Sequence, residues 1–558
     1  MLDHYAYYLK VLERSVRNTL RWQCMDPESP LYGTIESVAA GYTEPHSAVG
    51  VARTLIEGCY APGSAFCGDM QLLRRAAAAM RCAASLQHED GTLDLLCTNF
   101  HDAAETSFIM QTIGPACLLM RARMGSRPEE EELRALLEGF VSRAADGILA
   151  GGFHTPNHRW VLCAALALCA RLTGRADCLA RIDDFLREGI DCDEEGEYTE
   201  RSSGTYNIVC DRSLIIMAEM LDMPGLLDHV GRNLDMVEKY VEADGTINTA
   251  NSTRQDAGTA PDWRIYYGCY LYMALRTNNA EYAWMADRML LQSQSALEMS
   301  RDDRSLTPFF DMACFAIADP ALLERMRDIE PRMPDFNYVK HFEKSGIVRA
   351  RRGDFSLTLL SGHPVFAMLR CGSHSACLRM AASFYARAQF APQALIPTED
   401  GFRLSFAVRW GYKGPLPEKP ATSDWRQMDH SKRPDVFMQD LRFRVDVRIL
   451  PDGARFGVSA EGQDRVPMKL EILLDPGARF ATEDIEFRAR PGDYVYMKGP
   501  RAEYRYPDHR RLLIDGGFHS HSWGENMRGT LPGDDSSFFV AMTGDTPVHE
   551  TVTLRFEG

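Results

Sequence analysis

An acidic residue followed by glycine recurs at Asp90-Gly91, Asp146-Gly147, Glu195-Gly196 and Asp244-Gly245, with spacings of 56, 49 and 49 residues. A period near fifty suits one helical hairpin, and one hairpin cannot bury its apolar face alone. Each acidic-Gly turn is expected to lead into a polar loop, an amphipathic helix and a return helix. Apolar residues fall at helical spacing over Met70 to Leu86, Thr106 to Met124, Glu130 to Arg143 and Ser213 to Leu221. Stacked hairpins give either an open solenoid or a closed α/α ring. In both, equivalent loops emerge at the same end, so loop side chains of successive repeats can meet around one mouth.

The texture changes near Ser345. Gly346-Ile-Val-Arg-Ala-Arg, Phe355-Ser-Leu-Thr-Leu-Leu, Phe443-Arg-Val-Asp-Val-Arg-Ile-Leu and Lys469-Leu-Glu-Ile-Leu-Leu read as strands parted by Gly, Pro and Asp turns. With 558 residues the chain exceeds one compact core. The expectation is a helical domain over 1–330, a linker over 331–344 that carries Pro331 and Pro334, and an all-β domain over 345–558.

A net charge of −16 argues against nucleic acid or an anionic membrane as partner. It also weighs against gripping long, densely sulfated polymers, unless the basic residues gather in one cleft. No stretch reaches the ~18 apolar residues of a membrane span. The opening Met-Leu-Asp-His-Tyr-Ala-Tyr-Tyr lacks the blocks of a signal peptide. All fifteen cysteines lie between Cys24 and Cys377, irregularly spaced and without a Cys-x-x-Cys. Free thiols in a reducing cytoplasm fit this pattern. Neither a metal nor another cofactor is expected.

The repeat loops are rich in side chains with chemistry. The first offers Asn99, His101, Asp102 and Glu105; the second His154, Asn157, His158 and Arg159. The third offers Arg201, Tyr206, Asn207 and Arg212, and the fourth Asn251, Arg254, Asp256, Asp262, Trp263 and Arg264. Thr155-Pro156 reads as an N-cap and first helical residue before the apolar run from Trp160 to Ala170. Asn157 and His158 then stand in a first helical turn, beside free N–H groups able to hold a carboxylate. A uronic acid held there, with its charge spread by Asn157, is prepared for loss of its C5 proton. Tyr206 can act as acid or base if cations favour its phenolate, and Arg201 and Arg212 are the neighbours suited to that task. The product is a 4,5-unsaturated uronate made by β-elimination.

The Asn157-His158 pair, followed by Glu200-Arg-Ser-Ser-Gly-Thr-Tyr206, resembles the heparinase II/III-like polysaccharide lyases and their alginate-lyase relatives. The resemblance implies an incomplete N-terminal α/α toroid followed by a C-terminal antiparallel β-sandwich. It implies that Asn157 and His158 neutralise the substrate carboxylate and that Tyr206 serves as acid or base. It also implies a sandwich residue completing the site, for which His374 is chosen ahead of Tyr385. The His-x-His-x-Asp run of many relatives is absent. Asn99, His101, Arg212, Trp263 and Arg264 are expected to bind substrate, Trp263 by stacking on a sugar. The expected partner is a uronate-containing oligosaccharide or polysaccharide, and the sandwich offers surface for a homodimer. Two other readings stay open: a toroidal glycoside hydrolase drawing paired carboxylates from Glu105, Glu200, Asp256 and Asp262, and a non-catalytic glycan binder.

Overall fold

Helices that are apolar on every side must be enclosed, whereas those with one apolar stripe can face water. The helical half contains both kinds. The computed structural model describes residues 1–35, 42–299, 322, 325–522 and 527–558. It divides into two units, Met1–Val241 with Thr246–Pro334, and Glu242–Gly245 with Asp335–Gly558.

In the first unit an inner layer is formed by α2 (Pro45–Tyr60), α4 (Ala103–Arg123), α6 (Pro156–Thr173), α8 (Tyr206–Leu221) and α10 (Tyr267–Thr277). Each packs on the next inner helix. Outside them lie α3 (Met70–Leu86), α5 (Pro128–Ala150), α7 (Ala176–Leu186), α9 (Leu227–Tyr240) and α11 (Ala280–Met299). The run Trp160 to Cys169 of α6 is buried at every position, as a helix walled in by α4, α5, α7 and α8 must be. Helix α1 (His4–Trp22) touches both α2 and α11, which brings the array round on itself. His4 secures this return, with Nδ1 2.8 Å from the Tyr267 hydroxyl and Nε2 2.7 Å from Asp287.

Three of the four acidic-Gly pairs are turns, with Gly91, Gly196 and Gly245 at φ of +86°, +91° and +83°. The fourth expectation needs correction: Asp146-Gly147 lies inside α5. Gly147 is there because the Asp90-Gly91 turn rests on it. A Cβ on Gly147 would stand 2.8 Å from the carbonyl carbon of Gly91, and one on Gly91 only 1.8 Å from the Arg143 oxygen. The dipeptide that makes a turn in one repeat therefore makes the seat for that turn in the next. After the first turn, β1 (Leu93–Leu95) and β2 (Asn99–Asp102) form a small antiparallel ladder leading into α4.

The second unit is a β-sandwich. One sheet runs β16 (Tyr494–Tyr496), β19 (Phe538–Asp545), β13 (Pro467–Leu474), β7 (His374–Ala382), β6 (Val365–Cys371), β5 (Phe355–Leu360), β4 (Ile347–Arg352), β3 (Tyr338–Phe342), with β8 (Ala388–Gln389) beside β7. The other runs β15 (Glu486–Arg488), β14 (Arg479–Ala481), β17 (Arg501–Arg505), β18 (Arg511–Gly516), β20 (Val548–Glu557), β12 (Gly453–Gly462), β11 (Asp435–Ile449), β10 (Gly401–Lys413), β9 (Ala394–Thr398). Pairing is antiparallel except between β16 and β19. Inward side chains of both sheets share one core, in which Phe366 meets Phe456 edge-on at 6.4 Å. The expected linker over 331–344 is corrected by β3, which occupies 338–342 and pairs with β4. No helix among the described residues is long and apolar enough to cross a membrane.

Candidate active site

The N-terminus of α6 is where loops of three repeats meet. Pro156 opens the helix, and Thr155 sits at the N-cap without a capping hydrogen bond from its side chain. The carboxylate that caps the helix comes from the third repeat. Glu200 Oε2 accepts from the Asn157 backbone N–H at 3.2 Å and from Asn157 Nδ2 at 2.6 Å. Asn157 Nδ2 also donates to Thr155 Oγ1 at 3.2 Å. Both amide hydrogens are thus committed inward, and the residue is 1% exposed. The seat expected for a substrate carboxylate is filled by the protein's own Glu200.

The fourth repeat closes the arrangement. Arg254 Nη1 lies 3.2 Å from Glu200 Oε1, and its guanidinium stands over the Tyr206 ring at 4.9 Å. Gln255 Nε2 donates to the Tyr206 hydroxyl. The loop is fixed in place by its backbone: Thr253 donates to Glu200 O through N and Oγ1, and Gly204 N–H donates to Asp256 Oδ2 at 3.0 Å. Asn157, Glu200, Arg254 and Tyr206 therefore form one chain of contacts.

His158, the next residue on α6, feels the charge of Arg254. Its ring meets His154 edge-on at 4.9 Å and Phe108 at 5.8 Å. Burial pulls its pKa from 6.5 down to about 4; His154 and Arg254 push the same way, and Asp102 opposes them. The imidazole is thus neutral at neutral pH, and its buried Nδ1 has no hydrogen-bond partner among the described residues. Asp102 caps the N-terminus of α4, and Glu105 in the first turn of that helix receives His46 Nε2 at 2.8 Å.

Asn207, next to Tyr206 in the chain, meets a buried carboxyl, that of Glu197, although the acidic run from Asp191 to Glu197 reads in sequence as a solvated turn. Glu197 accepts from Asn207 Nδ2 and Asn251 Nδ2, both at 3.2 Å, and from the Tyr240 hydroxyl at 3.3 Å. Burial outweighs these bonds and the charge of Arg201, raising its pKa from 4.5 to about 7. A raised acid pKa means that the folded state keeps a proton the unfolded chain releases, so stability falls as pH rises from 4.5 through about 7. His158 acts in the opposite sense, its contribution being lost as pH drops below 6.5 towards about 4. Glu197→Gln should therefore gain on the parent by about 2–3 kcal/mol between pH 5 and pH 8. Denaturant unfolding at the two pH values measures this, and an unchanged difference refutes it.

The other expected site residues are distributed as follows. Asn99 donates to Asp102, the N-cap of α4, at 2.9 Å. His101 is half exposed, bonded to Asp90 at 2.6 Å and stacked on His88 at 3.9 Å. Arg264 is turned back onto Asp262 at 2.6 Å. Trp263 is 4% exposed and donates to Gln292 at 2.5 Å, so the expected stacking platform is a core residue. Arg212 lies deep in the unit, where burial and nearby Arg53 bring its pKa down to about 10. The cation over Tyr206 is Arg254 rather than Arg212. His374 belongs to the second unit; its Nε2 meets Asp508 at 2.9 Å and its ring stacks on Tyr506 at 3.8 Å. Tyr385 packs edge-on against Tyr412 at 5.5 Å in the same unit.

No protein-family model and no curated protein matches the chain. Solved structures do. A xanthan lyase of Paenibacillus superposes with a TM-score of 0.53 at 11% identity, covering 99% of this chain and 57% of that one. The chain thus spans little more than half of that protein. A heparan sulfate lyase of Pedobacter heparinus gives 0.53 at 10% identity, covering 98% and 83%. A chondroitin AC lyase of Streptomyces coelicolor A3, solved with chondroitin sulphate, gives 0.51 at 14% identity, covering 100% and 80%. The helical ring followed by a β-sandwich is the fold of these polysaccharide lyases.

Proposed function

We propose that the chain is a lyase that cleaves a uronate-containing glycan by β-elimination. The observation that carries this reading is Tyr206, whose hydroxyl is held by Gln255 and whose ring lies under the Arg254 guanidinium, in one cluster with a neutral His158. The hydroxyl is thereby fixed in orientation, as proton transfer requires. Tyr206 takes the C5 proton, the C5–H electron pair becomes the C4–C5 double bond, and the C4–O bond breaks. The proton then passes to the departing oxygen. Arg254 and His158 receive the substrate carboxylate and steady the charge that develops on it. Asn157 is a positioning residue in this scheme, because its amide hydrogens hold Glu200 and Glu200 faces Arg254.

The hydrolase reading needs two carboxylates free to face a sugar from opposite sides. Glu200 is engaged by Asn157 and Arg254, Glu105 by His46, Asp256 by Ser252, and Asp262 by Arg264. The test is a panel of uronate oligosaccharides incubated with the full chain. Near-ultraviolet absorbance of an unsaturated uronate, one per bond broken, is expected. New reducing ends without that chromophore would indicate hydrolysis, and neither product would indicate a binder.

A further inference from the structure

The outer face of the sheet containing β10, β11 and β12 bears a charge opposite to that of the chain. Alternation sends Leu404, Phe443, Val445, Phe456 and Val458 into the core and their neighbours outward. The outward row presents Arg403, Arg442, Arg444, Arg448 and Arg455 against Asp446 and Glu461, in a protein of net charge −16. Asp446 is shared by Arg403 at 2.6 Å and Arg444 at 3.1 Å, and Glu461 lies 3.6 Å from His549. Among the described residues, no carboxylate pairs with Arg442, Arg448 or Arg455. Arg448 and Arg455 stand directly opposite each other in the ladder. Like charges so placed destabilise an antiparallel pair. Edge protection does not account for them, because these strands lie inside the sheet order.

The same face is hollow. A depression of about 280 Å³ is lined by Ser405, Arg442, Arg444, Ser459 and Glu461. Gly457 faces outward between Arg455 and Ser459, although a Cβ there would meet nothing closer than 3.7 Å. Its backbone does not require glycine, and the missing side chain leaves the surface open between them.

We propose that this face is a second glycan-binding site, separate from the Tyr206 cluster, for a chain of uronate sugars. Carboxylates pair with the guanidiniums of Arg442, Arg448 and Arg455, and sugar hydroxyls bond to Ser405, Ser459 and Glu461. Arg442 and Arg448, six residues apart on one strand, are about 20 Å apart, a reach of several sugar rings. A glycan suits the face better than nucleic acid. Duplex DNA carries a charge every ~1.7 Å, and the carboxylates among these arginines oppose so dense a polyanion while still accepting from hydroxyls. The choice of uronate over another acidic sugar rests on the function proposed above.

The test is electrophoresis of the folded full chain through gels containing polygalacturonate, dextran or duplex DNA, with Tyr206→Phe as background so that cleavage does not interfere. Retardation by polygalacturonate and not by dextran is expected. The triple variant Arg442→Ser/Arg448→Ser/Arg455→Ser should weaken it on the order of tenfold, and added salt should weaken it in the parent. With Tyr206 restored, the triple variant should process short oligosaccharides at the parental rate. Equal retardation of parent and triple variant overturns the proposal, as does retardation by DNA alone. Failure of the lyase reading is separately visible: a chain that forms no unsaturated product yet is held through these arginines leaves the second site standing.

Discussion

Tyr206→Phe is expected to lower kcat for elimination by about 10²–10⁴-fold, the range typical for loss of a proton-transfer group. The Michaelis constant should change little, because the ring remains under Arg254 and only the hydroxyl is removed. The fold should be unaffected. Among the described residues the Tyr206 hydroxyl receives one hydrogen bond, from Gln255, and the helix start is held through its backbone, where the Tyr206 N–H donates to Ser202 Oγ at 3.1 Å. A split of this kind separates chemistry from packing, since a merely structural tyrosine would change unfolding and leave turnover in the remaining folded protein intact. Initial rates of unsaturated product, set beside circular dichroism of the same samples, give the answer. Turnover within threefold of the parent would remove Tyr206 from the mechanism.

The residues that converge on Tyr206 were unequally legible in the sequence. Helical period alone places α3 at Met70–Leu86, and alternation places the strand Phe355–Leu360. The Pro-Asn-His start of α6 is likewise readable, because proline fixes the first turn and the apolar run behind it has the helical length. Arg254 is a different case. It lies in a loop without periodicity, and long-range contacts, chiefly the hydrogen bonds of Thr253 to the Glu200 carbonyl, bring it over Tyr206. Those contacts cross more than fifty positions and leave no local trace. Trp263 shows the converse. Its neighbours Asp262 and Arg264 suggest a surface, yet the indole finds Gln292 and is buried. The Asp146-Gly147 pair is identical in sequence to a turn, and what makes it helical is the Gly91 backbone packed against it.

Glu200 provides the second large effect. Glu200→Ala removes the acceptor for the Asn157 N–H and amide, and the countercharge of Arg254. A helix N-terminal N–H and one of the two hydrogens of a buried amide lose their acceptor, each a loss of roughly 1–3 kcal/mol. Arg254 is part-exposed, so its unpaired charge adds less than a fully buried one would. Destabilisation of about 2–4 kcal/mol is expected, read as a lower midpoint in denaturant. Glu200→Gln discriminates between the two functional readings. It keeps the shape and one acceptor oxygen but loosens Arg254, so a positioning role predicts folded protein with elimination reduced on the order of 10-fold to 10²-fold. If Glu200 were itself the acid or nucleophile of a hydrolase, the same isosteric change would abolish bond cleavage while leaving Tyr206→Phe active. The two variants, assayed together for unsaturated product and reducing ends, therefore give opposite patterns, because in one reading Glu200 holds Arg254 in place over Tyr206 and in the other it does the chemistry.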